Sequence, residues 1–390
     1  SNTERAFWES ATKADSVEAY EAYVRRYPQG AFVDLAQIAI AKMRPRVAAV
    51  TPPPAPQPAP IPTQPAVVRP PVQPPPAPSP SVQWAMGSFG AVTGAFPSRP
   101  ISLVVPFPPG GSADMVARTI SAKMALGLGQ AVVVENRPGA AGNIGTSYVA
   151  ATARDGHTLL AAGTPMAISL AAMKSPPFRA ADFVPVAMIG ISPYYLAVPV
   201  NSPFRSLADV VASARANPGR ITYATAGTGS MSHMAAALFG LSTQTNLVHV
   251  PYRGTGPAVS DLIAGHIHIL FEQAATLAGS LANGQVRLLA VAAARRSARQ
   301  PAVPTLAETG VAGVEAAYWS ALLAPAGTPR NAIDRLHAEL GRATSQGGLA
   351  ELERFGIDPW VLTPEQTGAF VSSEIAKWTR VAAQAQISID

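Results

Sequence analysis

The spacing of apolar positions divides the chain into three stretches. Between about Thr3 and Met43 two helical patterns run, broken at Pro28-Gln29-Gly30. The first carries Ala6, Phe7, Ala19, Tyr20, Tyr23 and Val24, the second Phe32, Leu35, Ile38 and Ala39. This spacing predicts a small α-helical hairpin over residues 1–46, with too little core for much stability of its own. Residues 47–96 hold no period. Half of Thr51 to Pro80 is proline, which predicts a disordered, polyproline-like tether able to reach roughly 90 Å at ~3.1 Å per residue. Its PxxP matches are those any proline-rich linker contains, and Val82 to Phe96 reads as a loosely ordered lead-in.

From Pro97 onward, short β-branched runs alternate with helical patterns. Ile101 to Pro106 reads as a strand, followed by a helix to about Leu126. Ala131 to Glu135 is a strand, a helical run extends to about Ala153, and Thr158 to Ala162 is the next strand. This βαβαβ order predicts a mostly parallel sheet with helices on both faces, with ligands beyond the carboxyl ends of the strands. Phe183 to Val200 is strand-like and ends at Asn201-Ser-Pro203, the expected crossing into a second lobe. There Leu207 to Ala216, Ser230 to Leu241 and Gly256 to Ala264 read as helices. Arg220 to Ala224, Val248 to Pro251, Ile267 to Phe271 and Val286 to Ala292 read as strands. Near Ala317 to Ala324 the chain is expected to return to the first lobe, which Pro329 to Arg342, Leu349 to Phe355 and Glu365 to Ala385 complete with helices. The boundaries are lobe one at 97–200 plus 318–390 and lobe two at 201–317.

Composition narrows the class. At 390 residues and 48% hydrophobic the chain can bury substantial cores, while charged residues are only 13%, against about 25% in average soluble proteins. That suits an exported bacterial-type protein. The net charge of +6 is scattered, apart from Arg295, Arg296 and Arg299, with no aromatic-basic stripe, so no nucleic-acid partner is expected. Without cysteine there is no disulfide, thiolate catalysis or cysteine-ligated zinc. No run of eighteen apolar residues occurs, and no basic-then-apolar signal segment opens the chain as given.

The candidate chemistry sits in two loops. Phe107-Pro-Pro-Gly110-Gly111-Ser112-Ala113-Asp114 links a strand to a helix. Its prolines refuse regular structure, its glycines allow positive φ, and Ser112 is placed to cap the helix. Free N–H groups at such a helix start attract a carboxylate or phosphate, the macrodipole adding ~0.3–2 kcal/mol. Thr225-Ala-Gly227-Thr228-Gly229-Ser230-Met-Ser-His233 repeats the device in the second lobe. Neither loop contains Lys or Arg, so an anion would be held by amide and hydroxyl donors, directly or through water. Asp114 also reads as a helix cap or a partner of Arg118 one turn on, His233 as a structural donor, and Asn136 to Asn143 as turn geometry. His266 and His268 share a strand face without an acidic partner nearby, so neither metal nor cofactor is expected. No G-x-S-x-G elbow or G-x-x-x-x-G-K-[ST] phosphate loop occurs.

Phe96 to Asp114, read as Phe-Pro-Ser-Arg-Pro-Ile and then Val-Val-Pro-Phe-Pro-Pro-Gly-Gly-Ser-Ala-Asp, resembles the Bug receptors, the periplasmic solute-binding proteins of tripartite tricarboxylate transporters. Val133 to Gly145, Asp155-Gly156, Ala226 to His233, Val250 to Pro257 and Asp261-Leu262 extend the resemblance over almost all of Pro97 to Asp390. It implies an α/β two-lobe Venus-flytrap fold that grips a small carboxylate between the lobes. By position, Phe107, Gly111, Ser112, Ala113, Asp114, Gly163 and Thr164 would contact the ligand from lobe one. Thr225, Gly227, Thr228, Gly229, Ser230 and His233 would close from lobe two. Glu272 stands where relatives commonly carry aspartate, one methylene shorter, and with Asp114 would meet a polar end of the ligand. Separately, Tyr23 to Phe32 resembles helical segments that follow caspase-like domains in bacterial proteins.

The reading is a non-enzymatic receptor for an organic acid, aromatic acid or amino acid, serving membrane transporter subunits or a sensor. It would be periplasmic and tethered through its N-terminal extension. The second reading is an interaction or sensory protein assembled through the hairpin, since relatives lack such an extension. The third is a carboxylate-ester hydrolase.

Overall fold

The structure is a computed structural model that describes residues 2–14, 16–28, 30–33, 36–37, 84, 95–345 and 349–389. In its first compact unit, within Ser1–Pro74, the described helices are Asn2–Ala14 and Val17–Arg26. The chain therefore breaks just before Val17 as well as near Pro28–Gly30, because Ser16 caps the second helix by accepting from Ala19 N at 3.2 Å. Aromatic rings fill the core. Trp8 stacks on Phe32 at 5.1 Å, and the buried Tyr23 donates its phenol proton to Glu4 Oε1 at 2.8 Å while accepting from Phe32 N. Leu35, Ile38 and Ala39, and all of the 47–96 linker except Trp84, Ala95 and Phe96, lie outside the described residues.

The second unit, Pro75–Asp390, contains ten strands among the described residues. They are β1 (Ile101–Val105), β2 (Val132–Asn136), β3 (Thr158–Gly163), β4 (Phe183–Pro199), β5 (Thr222–Thr225), β6 (Val248–Pro251), β7 (Ile269–Gln273), β8 (Val286–Val291), β9 (Ala317–Pro325) and β10 (Asp358–Pro359). Their path is β2-β1-β3-β9-β4-β7-β5-β6, with β8 and β10 also paired to β4. The sheet is mixed, where the alternation predicts a mostly parallel one. β1 is parallel to β2 and β3, and β5 to β6 and β7, but every pairing of β4 and β9 is antiparallel. The reason lies in the connection: β4 carries the chain out of one half and β9 brings it back. β4 is long enough to serve both halves, pairing β9 through Phe183–Pro193 and β7 through Tyr194–Ala197.

Helices cover both faces. The helix Thr164–Ala172 follows β3 directly and has no counterpart in the sequence reading: Gly163-Thr164-Pro165 marks its start, but the short, mostly apolar run after it, Met166 to Ala172, shows no clear helical period. The last helix, Pro364–Ala385, packs on Thr164–Ala172, on β4 and on Met231–Thr243, so it touches elements of both halves. Trp84, in the stretch expected to be loosely ordered, donates from Nε1 to Ser372 Oγ on that helix at 2.6 Å.

Candidate functional site

The first loop leaves β1 and enters the helix Ser112–Leu128. Gly110 has φ +87°, and Gly111 is the N-cap, with no side-chain cap bond. Ser112 is thus the first helical residue and not the cap that its sequence position suggests, so the first-turn amides keep free donors. Asp114 holds the loop from inside. Only 3% exposed, it accepts through Oδ2 from Gly110 N and Arg118 Nε, both at 2.9 Å, and through Oδ1 from Asn136 Nδ2 at 2.8 Å. Asn136 also donates to the Phe107 carbonyl at 3.1 Å, which ties the loop to β2. The Arg118 hydrogen bond, with those from Gly110 and Asn136, outweighs burial and lowers the Asp114 carboxyl to about 2.

At the end of β3, Gly163 is the N-cap of the next helix, and a side chain there would meet the Tyr318 hydroxyl at 2.8 Å. Thr164 is fully buried. Its Oγ1 donates to Ala317 O at 3.2 Å and accepts from Trp319 N at 2.9 Å, which pins β3 to β9. Phe107 and Gly163 line a cavity of about 10 Å³ together with Gly142, Asn143 and Pro165. That is room for about one water. Gly142 and Asn143, read in the sequence as turn geometry, therefore stand beside the first loop.

The second loop leaves β5 and enters the helix Met231–Thr243, with Ser230 as its N-cap accepting from His233 N. Gly227 and Gly229 have φ of +130° and +76°. Here the interior braces are uncharged. Ala226 N donates to Ser232 Oγ at 3.0 Å, Ser230 Oγ to Gly227 O at 2.7 Å, and Gly229 N to His233 Nδ1 at 3.1 Å. Buried Thr225 places Oγ1 at 2.7 Å from His249 Nε2. Thr228 is exposed at the tip. His233, 7% exposed, is lowered to about 4 by burial and then by the neighbouring His249.

Two tyrosines missed in the sequence link the halves. Tyr318 covers Gly163, and buried Tyr194 of β4 feels both Glu272 and Tyr318, whose charges, after burial, push its phenol well above the ordinary value. Glu272 of β7 is 4% exposed, accepts from Thr255 Oγ1 at 3.1 Å and from Gln273 N at 2.9 Å, and is raised to about 7 by burial. The sequence signal for Tyr318 was an aromatic at the start of the returning strand. At the chain's end, Ile389 donates its N–H to Ala172 O and packs where a side chain on Gly229 would stand. The end of the helix that starts at Thr164 and the second loop thus share a neighbour.

Beside β4 lies a cavity of about 180 Å³ lined by Tyr195, Ala275, Ser297, Arg299, Arg354 and Asp358 among others, but by none of the loop residues above. Both histidines precede β7 and do not share its face as the sequence suggests, and His266 does have an acidic neighbour: its Nδ1 is 3.4 Å from Asp261 Oδ1, across a helix end, while His268 bonds Thr222. Among the described residues no three potential metal ligands gather, and no helix is long and apolar enough to cross a membrane.

Residues 116–387 match the family model described as the tripartite tricarboxylate transporter family receptor. The protein BugT of Bordetella pertussis is 38% identical over 290 residues, which is 73% of this chain and 89% of BugT. Among solved structures, Rpa4515 of R. palustris with adipate is 34% identical with a TM-score of 0.65, covering 75% of this chain and 99% of that one. MatC from Rhodopseudomonas palustris with bound malate is 32% identical with a TM-score of 0.62, covering 73% and 99%. The chain therefore belongs to the receptor family of the tripartite tricarboxylate transporters, periplasmic two-lobe solute-binding proteins that are not enzymes and that work with membrane transporter subunits.

Proposed function

We propose that this receptor captures a small carboxylate between lobe one, residues 97–200 plus 318–390, and lobe two, residues 201–317. The observation that supports it most is the pair of glycine-rich strand-to-helix loops, one in each half. Each is braced from inside, and neither contains a cationic residue. Such loops offer first-turn amides to an anion without burying an opposite charge. Phe107, Gly111, Ser112, Ala113, Gly163 and Thr164 would receive it on one side, with Asp114 as their brace. Thr225, Gly227, Thr228, Gly229, Ser230 and His233 would close from the other, and Glu272 would meet the far end of the ligand. The relatives solved with adipate and malate make dicarboxylates the first candidates. The test is a thermal-shift and calorimetric panel of mono-, di- and tricarboxylates and amino acids. A true ligand at 100 times Kd adds about 2.7 kcal/mol of stability. A panel without any shift or heat would overturn the reading.

A second reading, assembly through the N-terminal unit, is favoured by its own aromatic core, separate from that of residues 75–390. It makes residues 1–46 a docking module for a protein partner and residues 47–96 a tether to the cell envelope or to a sensor. Pull-downs with the full chain and with a chain lacking residues 1–96 separate the two readings. Identical partners in both would sink the second.

A further inference from the structure

The braces of the second loop converge on two histidines. Tyr223 of β5 and His249 of β6 are register partners with rings 5.1 Å apart, and His233 lies against His249 at 3.8 Å and 11°. One nitrogen of each imidazole reaches the loop. His233 Nδ1 accepts the Gly229 N–H, and His249 Nε2 bonds Thr225 Oγ1, which itself accepts the Gly227 N–H at 3.3 Å. Both glycines have positive φ, a region that glycine enters freely, so these side-chain contacts add to the definition of a backbone that glycine alone leaves permissive. We propose that His233 and His249 are paired positioning residues: stacked and uncharged, they hold Thr225–Ser230 in its ligand-receiving shape, and proton uptake by His233 releases the loop and its anion.

The loop part stands on geometry, while the release of an anion rests on the carboxylate reading above. A His233 Nδ1 that accepts from an amide carries no proton; adding one sets a donor against a donor and breaks the bond. Two imidazolium rings at 3.8 Å would repel without a counter-charge. The groups around the pair are Tyr223 and Thr225 from β5, Gly229 and Ser230 from the loop, and Ile389, which touches Gly229. His268, the residue before β7, is engaged by Thr222. No carboxylate faces either ring among the described residues, and burial lowers both imidazoles.

Amide hydrogen exchange of the ligand-free full chain, corrected for the intrinsic pH dependence, tests this at residues 226–230 between pH 7 and pH 4.5. The helix Ser112–Leu128 serves as reference. Loop protection is expected to fall at least about tenfold while the reference holds. In His233→Asn/His249→Gln, carboxamide oxygens keep the acceptors but take no proton, so protection should be equal at both pH values; His233→Leu should lose it at both. NMR titration of the wild-type ring protons should show that His233 does not charge near pH 6.5 while the loop is protected. The proposal falls if wild-type protection is unchanged by acid, if the double variant loses as much as wild type, or if His233 charges near 6.5 with the loop intact. Because exchange is read without ligand, failure of every member of the carboxylate and amino-acid panel to bind would count against the carboxylate reading alone.

Discussion

The two loops have the same backbone design and opposite interiors. The first is folded around a buried carboxylate that takes two amide-type donors and one guanidinium, so its brace is an ion pair. The second is folded around hydroxyls and two neutral imidazoles. Anion binding demands only free amides at a helix start, and what holds those amides in place can be chemically anything. The choice decides instead which conditions undo each jaw. An ion pair responds to salt and to strong acid, a histidine pair to mild acid.

The largest expected effect separates them by pH. The unfolded chain protonates His233 below its ordinary 6.5 and the folded chain only near 4, so the unfolded state binds more protons between those values. Stability is therefore full above about pH 6.5 and falls as the pH drops toward 4, by about 3 kcal/mol if the whole shift is expressed. Asp114 runs later: its folded value of about 2 lies below the ordinary 3.8, so its contribution is lost only as pH falls through 4 toward 2. Urea titrations at pH 7, 5.5 and 4.5 should show the loss in wild type and not in His233→Asn. Equal loss in both would place the acid sensitivity elsewhere.

Next comes a pair of glycines. Gly229→Ala must hold a side chain at φ +76° and displace Ile389, a cost of roughly 2–3 kcal/mol. Gly110→Ala meets nothing within 4 Å and carries only the conformational cost, about 1 kcal/mol at its φ of +87°. Urea midpoints rank the two, and equal losses would mean that Ile389 yields freely. Asp114→Ala should follow at about 1–2 kcal/mol. It orphans the Gly110 and Asn136 donors, but Arg118 is half exposed and its share is screened by solvent.

These ranks explain how far the sequence could be read. Both loops were visible because a strand, a glycine-rich break and a helix start are local and leave a local pattern. The braces were not, because they join residues far apart in the chain: Asn136 reaches Asp114 across 22 positions and His249 reaches Thr225 across 24. Of the long-range partners, only the acidic position after Phe271 shows in the sequence, through the family motif. Its neighbours Tyr194 and Tyr318 required the antiparallel crossing of β4 and β9 to be known. The cap misplaced on Ser112 failed for a different reason: Gly111 extends the loop by one residue at φ −81° and ψ 170°, a conformation open to any residue, so nothing in the sequence favoured one position over the other.

The smallest effect is the most specific probe of the first jaw. Arg118 lies one turn after Asp114 and is more than half exposed, so Arg118→Gln removes a screened partner while Gly110 and Asn136 still satisfy the carboxylate. The loss in thermal midpoint should be small at low ionic strength. It should vanish at about 1 M salt, where the Debye length is ~3 Å. The same salt should leave the difference between wild type and His233→Leu unchanged, since no ion pair holds the second loop. A salt-sensitive His233→Leu difference, or an Arg118→Gln loss that persists in high salt, would erase the electrostatic contrast between the two jaws and leave only their shared backbone geometry.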